Sequence, residues 1–216
     1  MDSADGRPLS LSLPYTGSKA LKGGRVSNYF DNLLPDSEPI RRRLATRFKT
    51  GTTGAFDLLQ AIGRDCVGAV QLLGVDEVPV GLKRIEGTPL SEEDVEQLLI
   101  QTTTTGPLAN LNDNEDLRIS LAGAQEKTAL LWHNGAWVRP HGSTPTTHIL
   151  KLPLGLVGHR QADFSTSVEN EWLCMNLLSE YDLPVAKPAL LTFGSQKLLG
   201  GARFDRRLHS SGAWLL

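Results

Sequence analysis

The dipeptide Asn134-Gly135 sits between two short apolar runs, residues 128–132 and 136–139. A two-residue connection of this kind needs positive φ at its centre, which Asn and Gly tolerate, and its twist matches that of paired antiparallel strands. The second half of the chain is therefore committed to a hairpin and must be organised around a sheet. Further strand candidates surround it at 119–121, at 147–152 ending on Pro153, at 185–193 and at 198–204. Between them lies one helix. Thr166 with Glu169 three residues on reads as a capping box, and Val168, Trp172, Met175 and Leu178 form an apolar stripe.

The first half reads differently. Leu9, Leu11 and Leu13 alternate with Ser10 and Ser12, the pattern of a half-buried strand, but helical spacing then dominates. Residues 28–34 form a helix-like run ended by Pro35. Ser37 is placed to cap a second helix with Pro39 in its first turn and Ile40, Leu44 and Phe48 at i, i+4 and i+8. Arg41, Arg42 and Arg43 lie on this helix, and a solvated face is favoured over a phosphate contact. Residues 56–62 predict a short helix closed by Gly63, and 67–73 (VGAVQLL) a strand. Ser91 with Asp94 is a second capping box, before an apolar face of Val95, Leu98 and Leu99. The polar, Asn-rich stretch between 102 and 116 marks a junction. The chain is thus expected to be α+β: a mixed α/β unit over 1–105, then an antiparallel sheet with one packed helix over 117–216.

Composition limits the function classes. With 22 Lys+Arg against 24 Asp+Glu and a net charge of -2, the chain is neither a basic nucleic-acid coat nor an acidic disordered tail. Cys66 and Cys174 lack metal-knuckle or redox-pair spacing and are expected to be two buried free thiols in a reducing compartment. No apolar run is long enough to span a bilayer and the start does not read as a secretory signal, so a cytoplasmic location without membrane partners is expected. The apolar ending Trp214-Leu215-Leu216 is the kind that belongs inside a sheet, and further sequence is expected beyond it.

The candidate chemistry lies in Ser120-Leu121-Ala122-Gly123-Ala124-Gln125-Glu126-Lys127, a small-residue loop between strands, followed by Lys151 on a later strand. Small residues let backbone N–H groups approach phosphate oxygens, and a strand lysine held by a helix carboxylate adds compensating charge. This order of loop, strand lysine and helix glutamate is that of a protein-kinase small lobe, although the loop matches neither the kinase Gly-rich pattern nor the Walker A pattern. Glu169 and Glu171 are about 200° apart on a helix, so only one faces Lys151; Glu171 is the choice. His148 reads as a partly buried, satisfied histidine rather than a catalytic one, and Asp205 in the RFDRR run as a local ion-pair partner of Arg203, Arg206 or Arg207.

The segments RPLSLSLP, FDNLLPDS, FDLLQAIGRDCVGAV, ISLAGAQEKTALL, TPTTHILKLP, SVENEW and RFDRR, in this order, resemble the HipA-type serine/threonine kinase toxins of type II toxin–antitoxin systems. The resemblance implies that Ala122, Gly123, Ala124, Gln125, Glu126 and Lys127 form the loop over the ATP phosphates, that Lys151 contacts them, and that Ser120 is an autophosphorylation site whose modification inactivates the kinase. It also implies ATP and Mg2+ as cofactors, a helix-turn-helix antitoxin of the HipB type as partner, DNA engaged only through that antitoxin, and a translation-related protein substrate, glutamyl-tRNA synthetase in the best-known case. The family's helical C-terminal lobe, with its catalytic aspartate and metal ligands, has no match in these residues, nor do the strands that precede RPLSLSLP. Two expectations follow: a kinase toxin whose chemistry needs that lobe, or a catalytically inactive remnant that binds the antitoxin or another partner.

Overall fold

The computed structural model describes residues 8–17, 19–68, 70–79, 84–103, 121–158, 160–210 and 214–215. Three helices, α1 (Gly24–Asp31), α2 (Glu38–Arg47) and α3 (Ala55–Ile62), open the chain. They enclose a core of Leu33, Leu34, Leu58, Leu59, Ile62 and Cys66, against which Tyr29, Phe30, Leu44 and Phe48 pack. Each fully buried leucine there stabilises the unit by roughly 1.5–3 kcal/mol relative to exposure. Pro39 lies in the first turn of α2 as expected, where its fixed φ costs nothing, but the Ser37 hydroxyl makes no cap bond.

The strand predicted over 9–13 does not form. Ser10 Oγ accepts from the Leu13 amide at 3.1 Å and meets Ser12 Oγ at 2.8 Å. Such local serine bonds compete with a ladder; Leu11 is left exposed and Leu13 buried. The strand predicted over 67–73 is also absent among its described residues. Gly68 has φ +75°, its amide donates to Asp205 Oδ2 at 2.8 Å, and the Leu72 amide turns back to the Gly63 carbonyl at 2.8 Å.

The sheet follows. In chain order the elements are β1 (Gly87–Leu90), α4 (Glu92–Thr103), β2 (Lys127–His133), β3 (Ala136–Pro140), β4 (His148–Lys151), β5 (Gly155–Val157), β6 (Ala162–Phe164), α5 (Ser167–Glu180), β7 (Ala189–Phe193), β8 (Gln196–Ala202), β9 (Arg207–Leu208) and β10 (Trp214–Leu215). Six of the strands form an antiparallel sheet in the order β1-β3-β2-β4-β8-β7; β5 with β6 and β9 with β10 make two small ladders. Asn134 and Gly135 take φ +51° and +79°, as the hairpin requires. The architecture is α+β, and the sheet recruits β1 and α4 from the segment before residue 105.

Helix α4 starts on the predicted capping box. The Asp94 amide donates to Ser91 Oγ at 3.1 Å while the Ser91 amide donates to Asp94 Oδ2 at 2.9 Å. Its Val95, Leu98 and Leu99 pack with Leu130, Leu150, Leu198 and Phe193 into the core of one sheet face. Gly200 is required there, since a Cβ on it would lie 2.5 Å from Leu191 Cδ1.

Helix α5 crosses the opposite face and departs from expectation. Thr166 makes no side-chain cap bond, and Val168 is the buried residue of the helix, whereas Trp172 and Leu178 are exposed. Glu169 is drawn away from the capping position by Lys197, at 2.7 Å. Cys174 on α5 is exposed, contrary to the expected pair of buried thiols, while Cys66 is buried. Among the described residues no helix is long and apolar enough to cross a membrane.

Candidate nucleotide site

Strand alternation and register place the central lysine. On β4, Leu150 faces α4, so Ile149 and Lys151 face α5. The antiparallel register sets Lys151 opposite both Lys127 of β2 and Leu199 of β8. The two lysines thus share one face as direct cross-strand neighbours. Lys151 Nζ donates to Glu171 Oε1 at 2.5 Å, with both side chains about a quarter to a third exposed. Glu169, two residues earlier on α5, points away to Lys197. Burial, and then the charge of Lys151, push the Lys127 ammonium below the usual lysine range, an effect opposed by Asp36 and Glu171.

Around Lys151 and Glu171 the sheet face, α5 and two loops enclose a cleft of about 260 Å³. Its walls are largely apolar, with Ile149, Leu199, Met175 and Ala186 on one side and Arg203, Phe204 and Asp205 on another. A largely apolar slot that carries the Lys151–Glu171 pair and is bordered by the Arg203–Asp205 pair suits a flat aromatic group joined to an anion.

The segment 121–127 does not line this cleft but leads to Lys127, the cross-strand neighbour of Lys151. Gly123 has φ +107°, which favours glycine, and a Cβ there would meet Lys127 Nζ at 2.6 Å. The Gly123 carbonyl accepts from the Asp36 amide at 3.1 Å, and Gly123 bridges to Pro35. Gln125 Nε2 donates to the Leu152 carbonyl at 2.6 Å, and the Glu126 carbonyl accepts from the Leu152 amide at 3.0 Å. The Glu126 carboxylate pairs with Arg43 of α2. Ala122 is half-buried and Ala124 is exposed. Ser120 lies outside the described residues.

The arginine run on α2 is therefore not a solvated face. Arg41 donates to the Pro35 carbonyl at 2.6 Å and to Asp31 at 2.7 Å, Arg43 reaches Glu126, and Arg42 alone of the three is exposed, beside Glu38. His148 is partly buried and satisfied as expected: Nδ1 meets Thr147 Oγ1 at 2.9 Å, Trp137 packs edge-on, and burial lowers its pKa.

One cluster escaped sequence reasoning. Asp65 accepts from the Thr146 amide at 2.9 Å, Thr146 Oγ1 at 2.6 Å, Arg203 Nη1 at 3.1 Å and Arg206 Nη2 at 2.8 Å. Asp205 takes Arg203 from the other side at 2.9 and 3.0 Å. Burial pushes the Asp205 carboxyl up, but the Arg203 hydrogen bonds, the Gly68 amide and the two guanidinium charges outweigh it and hold the group below its ordinary value. The local pair expected within RFDRR is present, but it is half of a buried network reaching Asp65 and the Cys66 carbonyl.

Comparison with known proteins adds to this geometry. Residues 1–73 match the HipA N-terminal domain, and residues 119–214 match the HipA-like C-terminal domain. A protein named putative kinase Y4mE from Sinorhizobium fredii is 34% identical over 217 residues, covering 98% of this chain and 48% of that protein. The serine/threonine-protein kinase toxin HipA of Shewanella oneidensis is 29% identical over 204 residues, covering 94% and 42%. A solved complex of Shewanella oneidensis HipA, HipB and operator DNA contains a chain that superposes with a TM-score of 0.68 at 27% identity, covering 98% of this chain and 46% of that one. The chain spans about half the length of the relatives it matches. With both HipA domain families matched in order and the fold shared with a solved HipA, this chain belongs to the HipA-like family.

Proposed function

We propose that this chain carries the nucleotide-binding part of a HipA-type serine/threonine kinase toxin. The observation that carries the reading is the Lys151–Glu171 pair on the floor of the cleft. Glu171 holds the Lys151 ammonium in place, so that the lysine neutralises phosphate oxygens without first being ordered. Lys127, on the same face, adds a second positive charge beside the loop of 122–127, whose small residues admit phosphate to the backbone N–H groups. The apolar walls at Ile149, Leu199 and Ala186 take the base. ATP supplies the γ-phosphoryl group that the full-length kinase transfers to a serine of a translation-related protein, glutamyl-tRNA synthetase by resemblance. Among the described residues no group of three or more His, Cys, Asp or Glu side chains is placed to hold a metal.

A solved complex of HipA, HipB and operator DNA supports a HipB-type antitoxin as the partner; that DNA is engaged only through this antitoxin is part of the proposal. Ser120, at the start of the loop, is the proposed autophosphorylation site; two added negative charges there repel the phosphates that the loop receives. A second reading, a catalytically silent module that binds a partner, draws on the exposed apolar side chains of α5, Trp172, Leu173, Leu177 and Leu178. Titration calorimetry with ATP separates the two. The kinase reading expects measurable affinity that falls by about 10-fold or more in Lys151→Ala, as loss of a charge-assisted bond predicts. Absence of binding at millimolar ATP rules it out for this chain.

A further inference from the structure

The loop of 122–127 is held from outside the cleft, by the helical unit. Three contacts converge on it: the Asp36 amide on the Gly123 carbonyl, the bridge between Pro35 and Gly123, and the side chain of Arg43 on the Glu126 carboxylate. Arg43 and Glu126 are 83 residues apart, and each is largely shielded, at 21% and 24% exposure, so their attraction is less screened than that of a surface pair. Arg41 fixes the turn that supplies Pro35 and Asp36 by bonding the Pro35 carbonyl and Asp31, across the same stretch of chain. Glu126 turns its side chain to α2 while its neighbour Lys127 reaches over Gly123. The Arg43 contact thus fixes the residue next to Lys127, the cross-strand neighbour of Lys151.

We propose that Arg43 is a positioning residue that clamps the 122–127 loop through Glu126, so that α2 sets the affinity for the phosphate end of a nucleotide without touching it. The inference rests on the nucleotide reading above. A ligand that needs an ordered loop binds more weakly in proportion to the fraction of molecules in which the loop is in place. Releasing the clamp therefore weakens phosphate-bearing ligands and leaves a bare nucleoside unaffected, because the apolar walls of the cleft do not involve α2.

The test compares ATP and adenosine on the chain and on Arg43→Ala, Arg43→Lys, Arg43→Glu and the charge-swapped pair Arg43→Glu with Glu126→Arg, alongside Lys151→Ala. Hydrogen exchange of amides 122–127 is followed without ligand. Arg43→Ala is expected to weaken ATP about 3- to 10-fold with adenosine unchanged and to speed loop exchange, whereas Arg43→Lys stays within about 2-fold of the parent and the swapped pair exchanges its loop amides more slowly than Arg43→Glu alone. Equal weakening of ATP and adenosine, or a swapped pair no better than Arg43→Glu alone, reduces Arg43 to a structural role and overturns the proposal. Unchanged loop exchange in Arg43→Ala overturns it whatever the ligands do. ATP affinity indifferent to Lys151→Ala, with loop exchange still accelerated in Arg43→Ala, instead removes the nucleotide reading and leaves the clamp standing.

Discussion

Removing the Asp65 carboxylate is a severe change outside the apolar cores. In Asp65→Ala, Arg203 and Arg206, whose side chains are 1% and 2% exposed, lose one of their two carboxylate partners, and the buried Thr146 amide and hydroxyl lose their acceptor. Breaking a buried charged pair by deleting one member costs about 3–5 kcal/mol, because the remaining charge stays desolvated. Four hydrogen bonds at about 1–3 kcal/mol each give an upper bound well above that, which relaxation around Asp205 and the Cys66 carbonyl reduces. The expected loss is thus about 4 kcal/mol, set against a total stability of about 5–15 kcal/mol. For a chain of this size that lowers the melting temperature by about 10 °C. Circular dichroism with heat and urea gives both quantities. Asp65→Asn, which keeps an acceptor for Thr146 but aims an amide at one arginine, should fall between the two. A loss below about 1 kcal/mol in Asp65→Ala would refute the claim that this network joins the helical unit to the sheet.

Acid should weaken the other half of the network. Asp205 is held below its ordinary 3.8, so its contribution is complete at neutral pH and disappears as pH falls through 3.8 toward the folded value; unfolding free energies of the parent and Asp205→Asn should converge on acidification. Gly200→Ala drives a Cβ into Leu191 and should cost about 1–3 kcal/mol in urea unfolding, unlike Gly201→Ala, where the space is open. Ser91→Ala removes the reciprocal cap of α4 at a cost of about 1 kcal/mol, measurable in the same assay. A maleimide should label Cys174 rapidly in the native chain and Cys66 only after unfolding, since burial, with Asp65 beside it, pushes the Cys66 thiol up to about 12.

The parts legible from sequence are those fixed by neighbours in the chain. The Asn134-Gly135 turn and the Ser91–Asp94 box rest on chemistry within three residues, and both appear in the structure. The Leu9–Leu13 alternation was equally local, but it omitted the serine hydroxyls that satisfy the backbone without a partner strand. Helix geometry left one of Glu169 and Glu171 to face Lys151; what separates them is Lys197 on β8, beside β4 in the sheet but four strands later in chain order, which no helical wheel contains. The α2 arginines looked solvated because their partners, Pro35 and Glu126, lie in a turn and a loop that the helix pattern does not register. Asp65 stood inside a recognised segment, yet its function depends on residues 138 and 141 positions away.

That separation also imposes an order of assembly. The helical core draws on residues no further along than Leu72, whereas the core of the sheet is incomplete until Leu198. On a ribosome, the three helices have all their packing partners long before the last strands exist, and contacts of short sequence separation form first. Asp65 then waits in water with its carboxylate hydrated, and the arrival of Arg203 and Arg206 exchanges that hydration for two guanidinium groups as the last strands join the sheet. A fault in β8 therefore leaves a folded helical unit with an unused anion at its surface, a species that proteolysis of nascent chains would detect as a resistant N-terminal fragment.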